Sequence, residues 1–544
     1  MKAISLLLAS SAALFGAAVA APADGIWSNV LPLPISPISG AVTPTGELLM
    51  WSGNSPGGWL YNDNDPNGKR TYYSVFTLDD FLGQKPIAAQ ITPTVEMFCP
   101  GTSNMPDGTI MVNGGSSVLA TMIFDPAAKT FRRAAPMNIA RAYQANVVTT
   151  AGNVFTVGGS FAKLASPKYL GQRNGEVYNP AKNVWAARNG ILGDVIGGLE
   201  NGSPNPDTQG LYRSDNHAWI FPFEAQGQEM VFHAGPVTQL HSIDVNGNKM
   251  TPLGPRGNDQ YSINALVVQY SPGRIFKAGG ATSYGDLNSG VGMPTRNQAY
   301  TILFSNLPTG GRVVVKASGN MNRARAFGHA VVLPGGKILL VGGQTNLHLF
   351  EDTNGVLEAE LYDPTTGKFT LLAPMKVARN YHSLALLTKY ANVFVAGGGA
   401  FPNNCAVAGK APCTANVHFN GEVFTPPYLS QGQVRPAIVT VSGANAQYGG
   451  GKVLRLNDIL TVKATGCGVG GCTFELLRIA SETHSVNNDQ LRVPLQIKTR
   501  GAANGDTMAI YDADKPFVMP GYYYLFAIAP NGTPSVAATV QVIR

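Results

Sequence analysis

The run Pro334-Gly335-Gly336-Lys337-Ile338-Leu339-Leu340-Val341-Gly342-Gly343 decides how this chain is read: a turn, a short apolar strand, then glycine. The same succession recurs at Leu48-Leu49-Met50-Trp51-Ser52-Gly53, Ile110 to Gly115, Val154 to Gly159, Met230 to Gly235, Ile275 to Gly280 and Val393 to Gly398, seven occurrences in all. Turn signals such as Pro106-Asp107-Gly108 precede several of them. Downstream, Phe124-Asp125-Pro126, Tyr178-Asn179-Pro180 and Tyr362-Asp363-Pro364 open an outer segment, with Phe131, Trp185 and Phe369 shortly afterwards. Short apolar runs bounded by Gly and Pro are strand signals, and a unit repeated along a long chain marks an array architecture.

Glycine after an apolar strand allows close backbone packing near a propeller centre, and the later aromatic can sit between adjacent sheets. The unit is kelch-like. Seven units of four strands predict an all-β, seven-bladed kelch-type β-propeller over residues 21–428, with the segment before Gly53 supplying the strand that closes the ring. After Phe424-Thr425-Pro426-Pro427 the repeat stops. Strands such as Ile438-Val439-Thr440-Val441 and Leu460-Thr461-Val462-Lys463 take over, and residues 429–544 have the size and turn spacing of an immunoglobulin-like β-sandwich.

Composition agrees. Of 544 residues, 63 are glycine and only 13% are charged, the balance of many short strands joined by tight turns. The net charge of +7 comes with no run of Lys/Arg interleaved with aromatics, so no nucleic-acid partner is expected. Met1-Lys2, an apolar stretch from Ile4 to Val19 and the small residues Ala18-Val19-Ala20 predict a signal peptide over residues 1–20 and a secreted, extracellular protein. No later apolar run reaches the length of a membrane span. Asn201-Gly202-Ser203 and Asn531-Gly532-Thr533 are glycan acceptor patterns. Five cysteines leave one over: Cys405 with Cys413 and Cys467 with Cys472 predict local disulfides, whereas Cys99, on counting alone, reads as a buried small apolar residue.

In a repeat array, residues equally far from the blade glycine occupy equivalent places around the axis. Cys99, Tyr143 and Phe327 each lie 16 residues before Gly115, Gly159 and Gly343. Tyr381 lies 17 before Gly398, and the turn Thr388 to Asn392 is expected to run one residue longer than Thr149 to Asn153. The neighbouring text matches too: Ala140-Arg141-Ala142-Tyr143, Ala324-Arg325-Ala326-Phe327 and Ala378-Arg379-Asn380-Tyr381. Phe327 shows that an aromatic here can be plain packing. Cys99 beside Tyr143 in consecutive blades, and Tyr381 followed at once by His382, depart from packing. Most of the eight histidines read as ordinary polar residues, but imidazole with phenolate at a channel mouth suits Cu(II).

At these residues the chain closely resembles the fungal copper radical oxidases, the galactose oxidase and alcohol oxidase group. The likeness covers nearly the whole mature chain. It is carried by Met97-Phe98-Cys99-Pro100-Gly101, Arg141-Ala142-Tyr143-Gln144, Tyr381-His382-Ser383, Thr483-His484-Ser485-Val486-Asn487 and Leu211-Tyr212-Arg213-Ser214-Asp215-Asn216-His217. The resemblance implies one copper ion with Tyr143, His382 and His484 as equatorial ligands and Tyr381 as axial ligand. It also implies a thioether between Cys99 and the ring of Tyr143, which serves as a radical cofactor. His484 would reach the channel from the second domain. Primary alcohols are then oxidised to aldehydes with O2 reduced to H2O2, and no organic cofactor is needed.

The resemblance also implies Phe161 as the residue shielding the cross-linked tyrosine, a tryptophan in galactose oxidase, and Tyr212, Arg213 and Phe350 as pocket residues. Gly285 stands where galactose oxidase has a sugar-contacting glutamine, and the carbohydrate-binding domain that precedes its propeller is expected to be missing. A pocket with fewer polar partners favours aliphatic or aryl alcohols over galactose. A galactose- or raffinose-type oxidase is the alternative that Arg213 favours. A glyoxal oxidase fits the Leu211 to His217 stretch less well, and a non-catalytic kelch scaffold predicts no copper and a free Cys99 thiol. A monomer is expected, with an extracellular peroxidase as activating partner implied by the resemblance.

Overall fold

In the computed structural model, residues 23–58, 69–159, 173–197, 217–283, 291–305, 307, 311–348, 352–399, 417–443, 452–501 and 505–544 are described. They are mostly strand, with a few short helical turns such as Leu78–Leu82. The repeat folds into antiparallel four-stranded sheets. Gly101–Asn104, Ile110–Asn113, Thr121–Asp125 and Thr130–Arg133 make one, paired in sequence order. Its first strand is buried throughout and its fourth is largely exposed, so each unit runs from an apolar inner edge to a polar outer one. The burial follows the sequence: Ile110, Met111 and Val112 are fully enclosed, whereas Thr130, Arg132 and Arg133 face water.

Four more sheets stand alone in the same way. They start at Ala145–Val148, Trp219–Ala225, Ala326–Val332 and Ser383–Leu387. The last is completed by the chain's N-terminal end, with Ile26 opposite Thr425 and Trp27 opposite Phe424, and this pairing closes the propeller. The expected seven separate sheets are not found: five stand alone. Two other four-stranded ladders, starting at Ser39–Val42 and Leu266–Ser271, belong to one 17-stranded network with the C-terminal strands. The cause is direct backbone pairing. Ser39–Val42 bonds antiparallel to Ser481–Thr483, and Leu266–Ser271 bonds parallel to Val486–Thr499. Inner-edge N–H and C=O groups are thus satisfied by a hairpin from the second domain, as buried backbone requires.

The repeat aromatics pack as expected between neighbouring ladders. Phe131 meets Tyr73 edge-on at 5.1 Å, Phe369 lies 6.3 Å from Phe276, and the Trp185 indole N–H donates to Thr121 Oγ1 at 3.1 Å. Such aromatic pairs add about 0.5–1.5 kcal/mol each beyond area burial. The C-terminal strands enclose a separate core that includes Leu454, Phe474, Val493, Tyr523 and Val540. Cys467 and Cys472 form the expected disulfide, while Cys405 and Cys413 lie outside the described residues. Residues 1–22, with the expected signal peptide, and Asn201 also lie outside them; Asn531 is exposed. Among the described residues, no helix is long and apolar enough to cross a membrane.

Candidate metal centre

Five of the inner strands are entered through one residue with left-handed backbone. Cys99, Tyr143, Asn264, Phe327 and His382 have φ of 57°, 57°, 49°, 59° and 65°. All five lie 16 residues before the second glycine of their blade, so in the last blade the equivalent residue is His382 rather than Tyr381. The turn Thr388 to Asn392 is the same length as Thr149 to Asn153, because Leu387 pairs with Val393 as Val148 pairs with Val154. The expected extra turn residue does not exist. The blade glycine sets this register: a Cβ on Gly115 would lie 2.2 Å from the Phe98 carbonyl oxygen, and one on Gly159 would lie 2.4 Å from that of Ala142. Non-glycine residues held at positive φ cost about 1–3 kcal/mol each and cluster at functional sites. His484 and Ser485, at φ 51° and 66°, form the tip of the hairpin that enters the propeller.

These entry points converge. Cys99 Sγ lies 2.9 Å from the Tyr143 hydroxyl oxygen, a separation suited to ortho substituents on one ring, and the hydroxyls of Tyr143 and Tyr381 are 3.4 Å apart. Ligand atoms of Cys99, His382 and His484 all fall within 4.8 Å of one another. The Tyr143 and His484 rings meet edge-on at 5.0 Å, and the His382 and His484 rings are 5.1 Å apart at 86°. Phe98 packs edge-on against His382 at 5.1 Å. The group is sealed: Cys99, Tyr143, Tyr381, His382 and His484 are 2%, 8%, 2%, 5% and 0% exposed.

The electrostatics favour neutral imidazole. Burial pushes His382 down to about 3, and His484 falls well below its ordinary range through burial and then through the neighbouring His382 and His217. His484 Nδ1 bonds to Thr483 Oγ1 at 2.6 Å, which in turn accepts from Ser39 Oγ at 2.7 Å. Its Nε2 is buried with no hydrogen-bond partner. A buried orphan nitrogen is costly unless something binds it. Two neutral imidazoles, two phenols and a sulfur fit a tetragonal copper site of N and O donors.

The structure therefore brings together Cys99, Tyr143, Tyr381, His382 and His484. Phe161, Tyr212, Arg213, Gly285 and Phe350 lie outside the described residues. Sequence reasoning gave no role to His217. Its Nδ1–H donates to the Gln144 carbonyl at 2.8 Å, its Nε2 has no hydrogen-bond partner, and its ring is 5.2 Å from that of His484. Burial pushes its pKa down to about 4. Its position at the end of the Leu211 to His217 stretch was the only available signal.

Comparison with known proteins accords with this geometry. Residues 435–542 match the galactose oxidase-like early set domain, and residues 325–376 match the kelch motif. Galactose oxidase of Gibberella zeae is 33% identical over 96% of this chain and 71% of its own length. An aldehyde oxidase of Vitis pseudoreticulata is 23% identical over 97% of this chain. A solved fungal alcohol oxidase of the AA5 family, in complex with copper, superposes with a TM-score of 0.80 at 32% identity, covering 96% of this chain and all of its own. By overall sequence, architecture and the residues gathered on the axis, the chain belongs to the copper radical oxidase family of galactose oxidase and the fungal alcohol oxidases.

Proposed function

We propose that this chain is a secreted copper radical oxidase that converts primary alcohols to aldehydes while O2 is reduced to H2O2. We read the two ladders joined to the C-terminal strands as blades, giving a seven-bladed ring over residues 21–428, a second domain over 429–544 and a signal peptide over 1–20. The observation that carries the functional reading is the buried convergence of Cys99, Tyr143, Tyr381, His382 and His484.

Tyr143, Tyr381, His382 and His484 would hold the copper ion. When bound, copper supplies one electron of redox capacity through Cu(II)/Cu(I). Taking an alcohol to an aldehyde removes two electrons, so the chain must supply the second acceptor. A thioether joining Cys99 sulfur to the Tyr143 ring does this, because sulfur spreads the unpaired spin of the phenoxyl and makes the ring easier to oxidise. Tyr381 accepts the hydroxyl proton of the alcohol. The Tyr143 oxygen would then take a hydrogen atom from the carbinol carbon, and with the remaining electron taken up by the one-electron capacity that bound copper would supply, the aldehyde is left. O2 accepts the two electrons and two protons and leaves as H2O2. Burial of Cys99 and Tyr143 keeps bulk water from the radical.

For substrate class, Phe161 and Gly285 support aliphatic or aryl alcohols, because each removes a polar partner that a sugar would use. Arg213 and the identity to galactose oxidase favour the second reading, a galactose-type oxidase. A peroxide assay comparing benzyl alcohol and butanol with galactose separates them: kcat/KM should be higher for the simple alcohols, and clear preference for galactose would overturn the substrate reading.

A further inference from the structure

A three-residue network next to the metal centre has no part in the chemistry above. His329 is fully buried on the inner strand Ala326–Val332, whose own entry residue, Phe327, offers no ligand. The Glu482 carboxylate accepts from His329 Nδ1 at 2.7 Å, and His329 Nε2 pairs with the Ser383 hydroxyl at 2.7 Å. Glu482 Oε2 accepts from the Ala385 backbone N–H at 2.6 Å, and Ser383 donates to the Asn380 carbonyl at 2.5 Å. The serine–histidine–carboxylate order resembles that of a hydrolase, but Ser383 is 1% exposed and its hydrogen is given to backbone.

What the network does span is the gap between the two ligand histidines. Ser383 follows His382 in the propeller, and Glu482 lies two residues before His484 in the hairpin from the C-terminal domain. Asn380 directly precedes Tyr381. A single imidazole thus bonds to both segments, and the Glu482 carboxylate that accepts from it is buried with it. Removing one partner of a buried hydrogen bond leaves the other unsatisfied, and it relaxes toward a new arrangement. Here relaxation would move the peptide segments that carry the histidines.

We infer that His329 is a positioning residue for the redox centre: through Ser383 and Glu482 it locks the segment of His382 to that of His484 and so fixes the angle between their rings. This rests on the proposed copper site. The test uses H329F, which fills the space without hydrogen bonds, and E482Q, which keeps the shape and weakens the bond, both in the full chain. Copper(II) affinity and the copper EPR spectrum are the readouts, with circular dichroism reporting the fold. H241N, a buried histidine outside the site, is the control. Outer partners of metal-ligating histidines are typically worth about 10- to 100-fold in metal affinity. H329F should bind copper that much more weakly with altered hyperfine splitting, E482Q should fall between, kcat should drop with KM for alcohol unchanged, and H241N should match wild type. Should H329F be misfolded, E482Q carries the test with the same readouts. Wild-type copper binding with spectra unchanged in a folded H329F or E482Q overturns the inference alone; a wild-type protein without a two-nitrogen copper spectrum overturns the proposed site and this inference together.

Discussion

Replacing Arg141 by methionine tests how the propeller holds the radical site. Arg141 is fully buried two residues before Tyr143. Its guanidinium donates to the carbonyls of Gly158 (3.1 Å), Arg173 (3.1 Å) and Asn174 (2.7 Å) and to Glu176 Oε2 (2.9 Å). Glu176 also accepts from the backbone N–H groups of Asn138 and Ile139. The change strips three carbonyls and leaves a carboxylate in the core with only two amide donors. Breaking such a buried pair costs about 3–5 kcal/mol. Because Arg141 and Glu176 share one network, R141M/E176Q should cost less than the sum of the single changes by about 1–3 kcal/mol. Chemical unfolding followed by fluorescence, on wild type, both single variants and the double, closes the cycle. A loss below about 1 kcal/mol for R141M, the worth of an exposed pair, would refute the argument.

Thr483→Val removes the hydroxyl that holds His484 Nδ1 and should weaken copper binding about 10- to 100-fold, by competition titration, without loss of secondary structure. Acid stability follows from buried histidines such as His241, whose pKa burial lowers to about 4. The unfolded chain takes up that proton near 6.5, so the stabilisation is whole above that pH and is lost as pH falls toward about 4, at about 1.4 kcal/mol per pH unit for each histidine. In metal-free protein, H241N should flatten the urea-derived slope between about pH 6 and pH 4.5 by roughly that amount; identical slopes would count against it.

Much of the architecture was legible because glycine is forced by close backbone approach: the carbonyls of Phe98 and Ala142 leave no room for a Cβ at Gly115 and Gly159. The spacing therefore marks position, and it located Cys99 and Tyr143 correctly as neighbours. It misplaced Tyr381, since left-handed backbone at His382, a three-dimensional property, identifies the equivalent residue. The fused ladders were not legible either, because pairing of Ser39–Val42 with Ser481–Thr483 joins segments more than 400 residues apart. The recurring Ala-Arg text was visible without its reason. Arg141, Arg325 and Arg379 each bond a buried glutamate, Glu176, Glu360 and Glu422, two residues before the outer-strand aromatic. That glutamate was a readable signal. His329 gave none and His217 only its place at the end of the Leu211 to His217 stretch, as their roles depend on partners from other blades or the other domain.

The central claim, that Cys99 and Tyr143 form one redox unit, is tested most directly by intact mass and thiol labelling after aerobic copper loading. The account predicts a mass lower by two hydrogens from this pair, no label on Cys99 and a peptide joining Cys99 to Tyr143. Full mass with Cys99 labelled while copper is bound would contradict it.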